Sequence, residues 1–344
     1  MIERARLPSG YRAAPIDEGT ASDGELARLH RLHQLIRAEA YPDDPPPPVA
    51  HTLADAREIS PLERRWAWIV TPTGSDEVVG FARVSYQDVE ENRHLTHVGL
   101  CVDPAHRRRG LARHLLGLAA ELTSQEGRRL LNAWTVSSAP GGEAFAEAMG
   151  AKAVLSMRES ELNLDAVDRA MVRRWVEEGP RRAADYELLT KNSPVPAAER
   201  EAVARVFDVM NDAPRDSMDY EDDHFRPEEM EALDRRVASS GVEWWMLLAR
   251  HRPSQDYVGL TNVWIDPANA RVIDQGDTGV HRDHRGHALG KWLKAAMLER
   301  IFAERPMARI VRTGNAYSND AMLGINNALG FQAARTGTTW ELDA

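Results

Sequence analysis

The sequence predicts an α/β chain of the α+β kind: one module written twice, each copy a mixed, mostly antiparallel central sheet flanked by helices. Length and composition set the scale. A chain of 344 residues, 43% hydrophobic and 28% charged, has the size of two ordinary domains and the balance of a globular protein. An internal repeat sets the plan. LTHVGLCVDPAHRRRGLARHLLGLAAEL at 95–122 is matched by VIDQGDTGVHRDHRGHALGKWLKAAMLERI at 272–301. Placing Val102 on Val280 puts His106 on His284, Arg107 on Arg285 and Leu115 on Leu293, at a constant offset of 178 residues. The segments around each copy follow one order of strand and helix patterns.

In the first copy YRAAPID (11–17) reads as a strand, and residues 20–40 carry Leu26, Leu29, Leu32, Leu35 and Ile36 at helical spacing. The prolines at 45–48 cannot continue a helix and mark an extended loop. WAWIVT (66–71), EVVGFARVSY (77–86) and LTHVGLCV (95–102) follow as strands. A basic turn leads into a helix at about 110–125, then RLLNAWTV as a strand, GEAFAEAMG as a short helix and AVLSMRESELNL as one or two strands. The second copy opens with YELLTKN (186–192) and a helix from Pro196 to about Met210. A further helix starts near Pro227, with Glu228 and Glu229 favourable beside its N-terminus. VEWWMLLAR, DYVGLTNVWI and VIDQGDTGV are strands, followed by a helix at 288–303, ARIVRTGN, a short helix and GTTWELD. Residues 165–185 read as the connector. The expected domains are therefore 1–182 and 183–344.

Composition narrows the function. A net charge of -10 argues against general nucleic-acid affinity. No run of about 18 apolar residues is present, so no membrane partner is expected. The N-terminus, MIERARLPSGYRAAPIDEG, lacks the apolar core of a signal peptide, which points to a cytoplasmic protein; separately, a monomer or homodimer is expected. The single cysteine, Cys101, excludes an internal disulfide and every multi-cysteine metal site, and on a central strand it reads as an inert buried thiol. His281, His284 and His287 recur at spacing three without the carboxylate or thiolate partners of a zinc site, so no metal is assigned. Trp244 and Trp245 are adjacent on a strand and point to opposite faces.

The chemistry concentrates in the basic turn. In VDPAHRRRGLARHLL a strand ends at Val102 and a helix starts within about eight residues, with several basic side chains and one glycine between. A helix N-terminus presents free N–H groups and partial positive charge, a ready phosphate site. Gly110 and Ala112 keep that backbone uncovered, and desolvated arginines add about 1.5–3 kcal/mol per contact. The pattern is neither GxxxxGK[ST] nor GxGxxG. It reads as a pyrophosphate-binding strand–loop–helix, present twice.

Arg107, Gly110 and Ala112 after Val-x-Pro resemble the acyl-coenzyme A signature of the GNAT superfamily of N-acyltransferases. Arg285, Ala288 and Gly290 resemble the same signature, with Ala288 at its first small position. GNAYSNDAMLGINNALGF (314–331) is similar to the family's second, Asn-containing motif, and APGGEAFAEAMGA is a worn version with Ala139 where the Asn would stand. The resemblance covers nearly the whole chain and is to the tandem two-domain branch, the architecture of mycothiol synthase. It implies acetyl-coenzyme A as cofactor, held in the second copy by Val280, Arg285, Gly286, His287, Ala288, Leu289, Gly290, Lys291, Asn315 and Asn319. In the first copy it implies Val102, Arg107, Arg108, Arg109, Gly110, Leu111, Ala112 and Arg113.

The resemblance further implies a V-shaped opening beside the central strand and direct transfer of an acetyl group to a primary amine, here one of a small molecule. The backbone amide of Val280, or of Val102, would donate to the thioester carbonyl, and Asp277, three residues before Val280, would take the amine's proton. The family's general acid is a Tyr four residues before the Gly of Leu-Gly-Phe; here Asn326 and Ala146 hold those places. The second copy, which keeps Asn315, Asn319 and Leu329-Gly330-Phe331, is the expected catalytic one. The acidic stretch DSMDYEDDHF (216–225) would attract a cationic acceptor if it lines the acceptor site. An inactive coenzyme A-binding sensor or scaffold, and an acetyltransferase of protein N-termini or lysines, remain as alternatives.

Overall fold

The computed structural model describes residues 5–344, so the first four residues of the N-terminal stretch read above lie outside it. The chain forms two compact units. Among the described residues one comprises 5–156, Ser217–Glu221 and Thr336–Ala344, the other Met157–Asp216 and Asp222–Arg335.

In the first unit β1 (Tyr11–Ile16), β2 (Glu63–Pro72), β3 (Gly80–Gln87) and β4 (Leu95–Val102) pair antiparallel in sequence order. Helix α1 (Asp23–Ala40) starts at a capping box in which Ser22 and Glu25 satisfy each other's backbone N–H, and it buries Leu26, Leu29 and Leu32. The proline run ends in a helix the sequence reading left out, α2 (Val49–Arg57), with Pro48 as its N-cap. A proline just outside a helix start removes no intrahelical hydrogen bond, so the run that forbids a helix before it permits one after it. Helix α3 (Leu111–Gln125) crosses over to β5 (Leu130–Val136), which runs parallel to β4, and α4 (Gly141–Ala148) follows.

Strand β6 (Lys152–Asn163) is one continuous strand, and its residues 157–163 pair with β11 (Ile310–Ala316) in the second unit. The remaining strands of that unit are β7 (Tyr186–Asn192), β8 (Glu243–His251), β9 (Tyr257–Ile265) and β10 (Val272–Val280). They pair antiparallel in order, and β10 continues parallel to β11 through the crossover helix α8 (Leu289–Glu304). Helices α5 (Arg169–Arg182), α6 (Arg200–Val206), α7 (Pro227–Ser240) and α9 (Asp320–Leu329) complete the unit. The end of the chain, β12 (Gln332–Asp343), pairs with β5 from Gly337↔Val136 to Asp343↔Leu130. Each sheet therefore takes its last strand from the other half of the sequence. The boundary falls at Ser156/Met157 rather than near 183. The expected connector is helix α5, and its Val172, Met171, Trp175 and Val176 pack in one core with Trp292 and Leu293 of α8.

The second unit has a core on each face of its sheet. Trp245, Leu247, Ile273, Leu293 and Phe331 lie on the α8 side, and Trp244, Met246, Leu248, Val203 and Met230 on the other. Trp244 and Trp245 thus do point to opposite faces, with Trp244 stacked on Trp264. No helix among the described residues is long and apolar enough to cross a membrane.

Candidate active site

Both units part their central strands in the same way. In the first, β4 and β5 pair only from Leu95↔Leu130 to His97↔Asn132, although the strands run on to Val102 and Val136. In the second, β10 and β11 pair from Val272↔Ile310 to Gln275↔Thr313 and then separate, while the strands continue to Val280 and Ala316. A crossover helix begins beyond each gap. Its N-cap, Gly110 or Ala288, sits in the left-handed region and gives no side-chain hydrogen bond, so the first amides of α3 and α8 are left uncapped by side chains. That is the condition for receiving an anion at a helix start. The residues present therefore suit a pyrophosphate group. Arg108 and Gly286 also have positive φ, which turns the loop over the helix.

The arginines of the signature anchor the ends of the central strands. Arg107 Nε donates to the Val102 carbonyl at 3.1 Å, and its Nη1 donates to Glu39 at 2.8 Å. Arg285 Nε donates to the Val280 carbonyl at 3.0 Å, and its Nη2 to Asp212 at 3.0 Å. Each guanidinium thus ties the end of the central strand to a carboxylate of the preceding helical segment. The hydrogen bond from Arg107 holds the Glu39 carboxyl below the usual range. A second repeated device was missed in the sequence. Tyr11 hydrogen-bonds His106 Nδ1 at 2.9 Å, and Tyr186 hydrogen-bonds His284 Nδ1 at 3.0 Å. Its signal was there, since both copies open on a Tyr, in YRAAPI and YELLTKN.

Around these anchors Arg108, Arg113 and His287 are exposed, and Arg109 donates to the Tyr11 hydroxyl. Lys291 lies over the Trp175 ring. Leu111 and Leu289 are buried and anchor the helix starts, while Ala112 and Gly290 are half-buried. Asn319 accepts the Met322 N–H as the N-cap of α9, and Asn315 accepts a hydrogen bond from Asn326 at 2.7 Å. Asn326 is buried within the fold.

One difference separates the two openings. Strand β4 pairs with β3 without interruption from Gly80↔Val102 to Ser85↔His97. Strand β10 has an irregularity between Gln275 and Thr278, where Gly276 and Asp277 together oppose Asn262 of β9. This is a β-bulge, one extra residue that bends the strand and re-aims a side chain. A Cβ on Gly276 would lie 2.3 Å from Asn262 Oδ1, so the position has room only for glycine. The re-aimed side chain is Asp277. It is half-buried, accepts from Asn262 Nδ2 at 3.2 Å, and burial pushes its carboxyl above the ordinary aspartate value.

The acidic stretch is divided between the two units. Residues 217–221 belong to the first unit, where Asp219 accepts from Arg129 at 2.7 Å and Glu221 accepts the Asn92 N–H. In the second unit Asp222 pairs with Arg215. Asp219 is thus paired with an arginine distant in sequence, a partner that local charge density cannot reveal. Cys101 is half-buried, and burial pushes its thiol up to about 12, the state of an unreactive cysteine.

Parted parallel strands over an uncapped crossover helix, twice in one chain, are the fold of the tandem GNAT class. Residues 28–151 match the acetyltransferase (GNAT) family, and the chain carries a GNAT domain there. A mycothiol acetyltransferase of Cellulomonas flavigena is 38% identical over 92 residues, 26% of this chain; the match spans only 25% of that relative's length. Among solved structures, a tandem GNAT protein from the clavulanic acid biosynthesis pathway superposes with a TM-score of 0.77 at 27% identity, covering 97% of this chain and 98% of that one. A GCN5-related N-acetyltransferase from Sphaerobacter thermophilus shares the fold at 17% identity, with a TM-score of 0.62 over 98% of this chain and 97% of its own.

Proposed function

We propose that the protein is an acetyl-coenzyme A-dependent N-acetyltransferase acting on a primary amine of a small molecule, and that its second unit carries out the transfer. The observation that carries this reading is the bulge that presents Asp277 on the parted stretch of β10, three residues before Val280. Acetyl-coenzyme A supplies the activated acyl group. The uncapped amides that begin α8 receive its pyrophosphate, and the Val280 N–H donates to the thioester oxygen as charge develops there. Such a donor is worth about 3–4 kcal/mol of barrier. Asp277 accepts the proton of the attacking amine. Burial raises its pKa above the ordinary aspartate value, which makes the carboxylate a stronger proton acceptor. Arg285 holds the strand end and the turn in register through Val280 and Asp212.

In the first unit the β3–β4 ladder has no bulge, and Gly99 of β4 lies opposite Arg83, itself bound to Glu18 and Asp55. It is read as a coenzyme-binding or scaffolding copy. A second reading makes the first unit the live one: the family match falls there, and Gly110 takes the left-handed N-cap conformation without the strain Ala288 bears. Free-thiol release from acetyl-coenzyme A across a panel of amines separates the two. Arg285→Ala should raise the acetyl-coenzyme A KM about tenfold or more with Arg107→Ala near wild type. The reverse pattern moves the active site to the first unit, and no thiol release with any amine rejects the acetyltransferase reading.

A further inference from the structure

A polar chain crosses the apolar core of the second unit. Lys294 of α8 is only 2% exposed, and burial pushes its ammonium down to about 7. Its Nζ donates to Gln275 Oε1 at 2.7 Å and lies over the Phe331 ring. Gln275 Nε2 donates to Thr261 Oγ1 at 3.0 Å, and Thr261 Oγ1 is 2.8 Å from Thr278 Oγ1. The inventory of donors sets the sense of this chain from Lys294 to Thr261. Lysine offers N–H groups, so Gln275 meets it with its carbonyl and turns its amide to Thr261. Thr261 is 0% exposed and accepts from Gln275, and either threonine can supply the hydrogen shared between Thr261 and Thr278. In the sense in which Thr261 donates, Thr278 accepts within the chain and its hydroxyl hydrogen is not spent there. It stands half-buried on the stretch of β10 that has parted from β11.

The repeat provides an internal control. By strand register, with Val102↔Gly80 equivalent to Val280↔Gly259, the first unit has Leu100 and Ala82 where the second has Thr278 and Thr261. Before the bulge Val98 takes the place of Gln275, and on the crossover helix Leu116 takes the place of Lys294. These four belong to apolar clusters with Val84 and Leu131. The module holds its core without a polar chain, and a buried lysine without a carboxylate destabilises the fold that carries it. A costly chain confined to the unit with the bulge, and ending at its gap, points to function.

We propose that Thr278 donates a hydrogen bond to the sulfur of the departing coenzyme, and that Lys294, Gln275 and Thr261 are positioning residues that aim its hydroxyl. The inference rests on the reading of the second unit as the acyl-transfer site. In the step concerned the amine nitrogen bonds the acyl carbon and its proton passes to Asp277. The carbon–sulfur bond breaks, its electron pair stays on sulfur, and the thiolate, held by Thr278, then takes a proton from water.

The test uses coenzyme A alone, without acyl group or acceptor, and follows the ultraviolet thiolate band of the bound thiol against pH. The bound thiol should ionise about one unit below the free one, a tenfold gain in thiolate. Thr278→Val and Lys294→Leu, the latter carrying the first unit's residue, should each return most of that shift, and Thr278→Ser should keep it. Coenzyme bound by the first unit contributes equally in every variant and cancels in the difference. Should Lys294→Leu fold poorly, the variant Lys294→Leu, Gln275→Val, Thr261→Ala reproduces the first unit's apolar set and is read the same way. A lowered melting temperature with an unmoved thiol titration would make the chain merely structural and overturn the inference, leaving the acetyltransferase reading intact. Failure of the wild-type protein to bind coenzyme A would overturn that reading itself.

Discussion

Asp277 shows how far a single residue can be read from sequence. Its place three residues before Val280 was legible, because it depends only on the repeat and the signature. Its partner Asn262 was not, since that contact depends on which residue of β9 faces the bulge. The partner and the burial together give the carboxylate its behaviour, and they support a prediction with a definite sign. The folded-state pKa of Asp277 is raised, with desolvation as the largest cause. A carboxyl raised on folding contributes stability that is fully present below its unfolded pKa and is lost as pH rises through the folded value. Above that value the protein therefore holds a partly desolvated charge. Asp277→Asn should melt higher than wild type at pH 7–8, and the gap should close as pH falls towards the ordinary aspartate value of 3.8. At the same time turnover should fall by about 10²–10⁴, the range for loss of a general base. Thermal melts across pH and steady-state rates on one preparation read both. A variant that melts lower at neutral pH would show that the Asn262 contact outweighs desolvation.

At the level of elements, most of the helices and strands follow from periodicity and from their caps, because those signals are local. What escaped local reading is register. The motif GDTGV alternates like any half-buried strand, and nothing within it shows that Gly276 and Asp277 share one partner. The comparison with β4, where Gly99 alone faces Arg83, makes the bulge a removable feature of this module. Deletion of Gly276 should restore an uninterrupted β9–β10 ladder of the kind β3–β4 already has. The expected protein folds and binds coenzyme A, since α8 and its turn are untouched, but transfers acetyl groups at least a hundredfold more slowly because Asp277 is no longer re-aimed. Coenzyme titration by calorimetry alongside turnover checks this. Loss of binding together with turnover would mean that the bulge serves the opening as a whole rather than the carboxylate.

For the whole molecule, the repeat predicts two modules laid end to end, and the elements do repeat in that order. Their membership does not. Alternation marks a stretch as a strand without naming its neighbour, so a sequence reading assigns GTTWELD to the copy it follows. Instead residues 337–343 pair along the whole of β5, and Trp340, buried, donates through Nε1 to Thr135 at 2.7 Å. The first unit consequently depends on the last residues of the chain. Residues 1–182 expressed alone, the domain the sequence predicts, would leave β5 with an unpaired edge and would lack the strand that covers it. Truncation after Arg335 removes nothing from the second unit as the structure divides the chain, yet removes a core strand from the first. Hydrogen exchange on that truncated protein should show protection lost in residues 130–136 and along β4, more than 190 residues away in sequence, while β8 and β9 keep theirs. Loss confined to β11 and the adjoining part of β6 would instead assign the last strand to the second unit and refute the exchange.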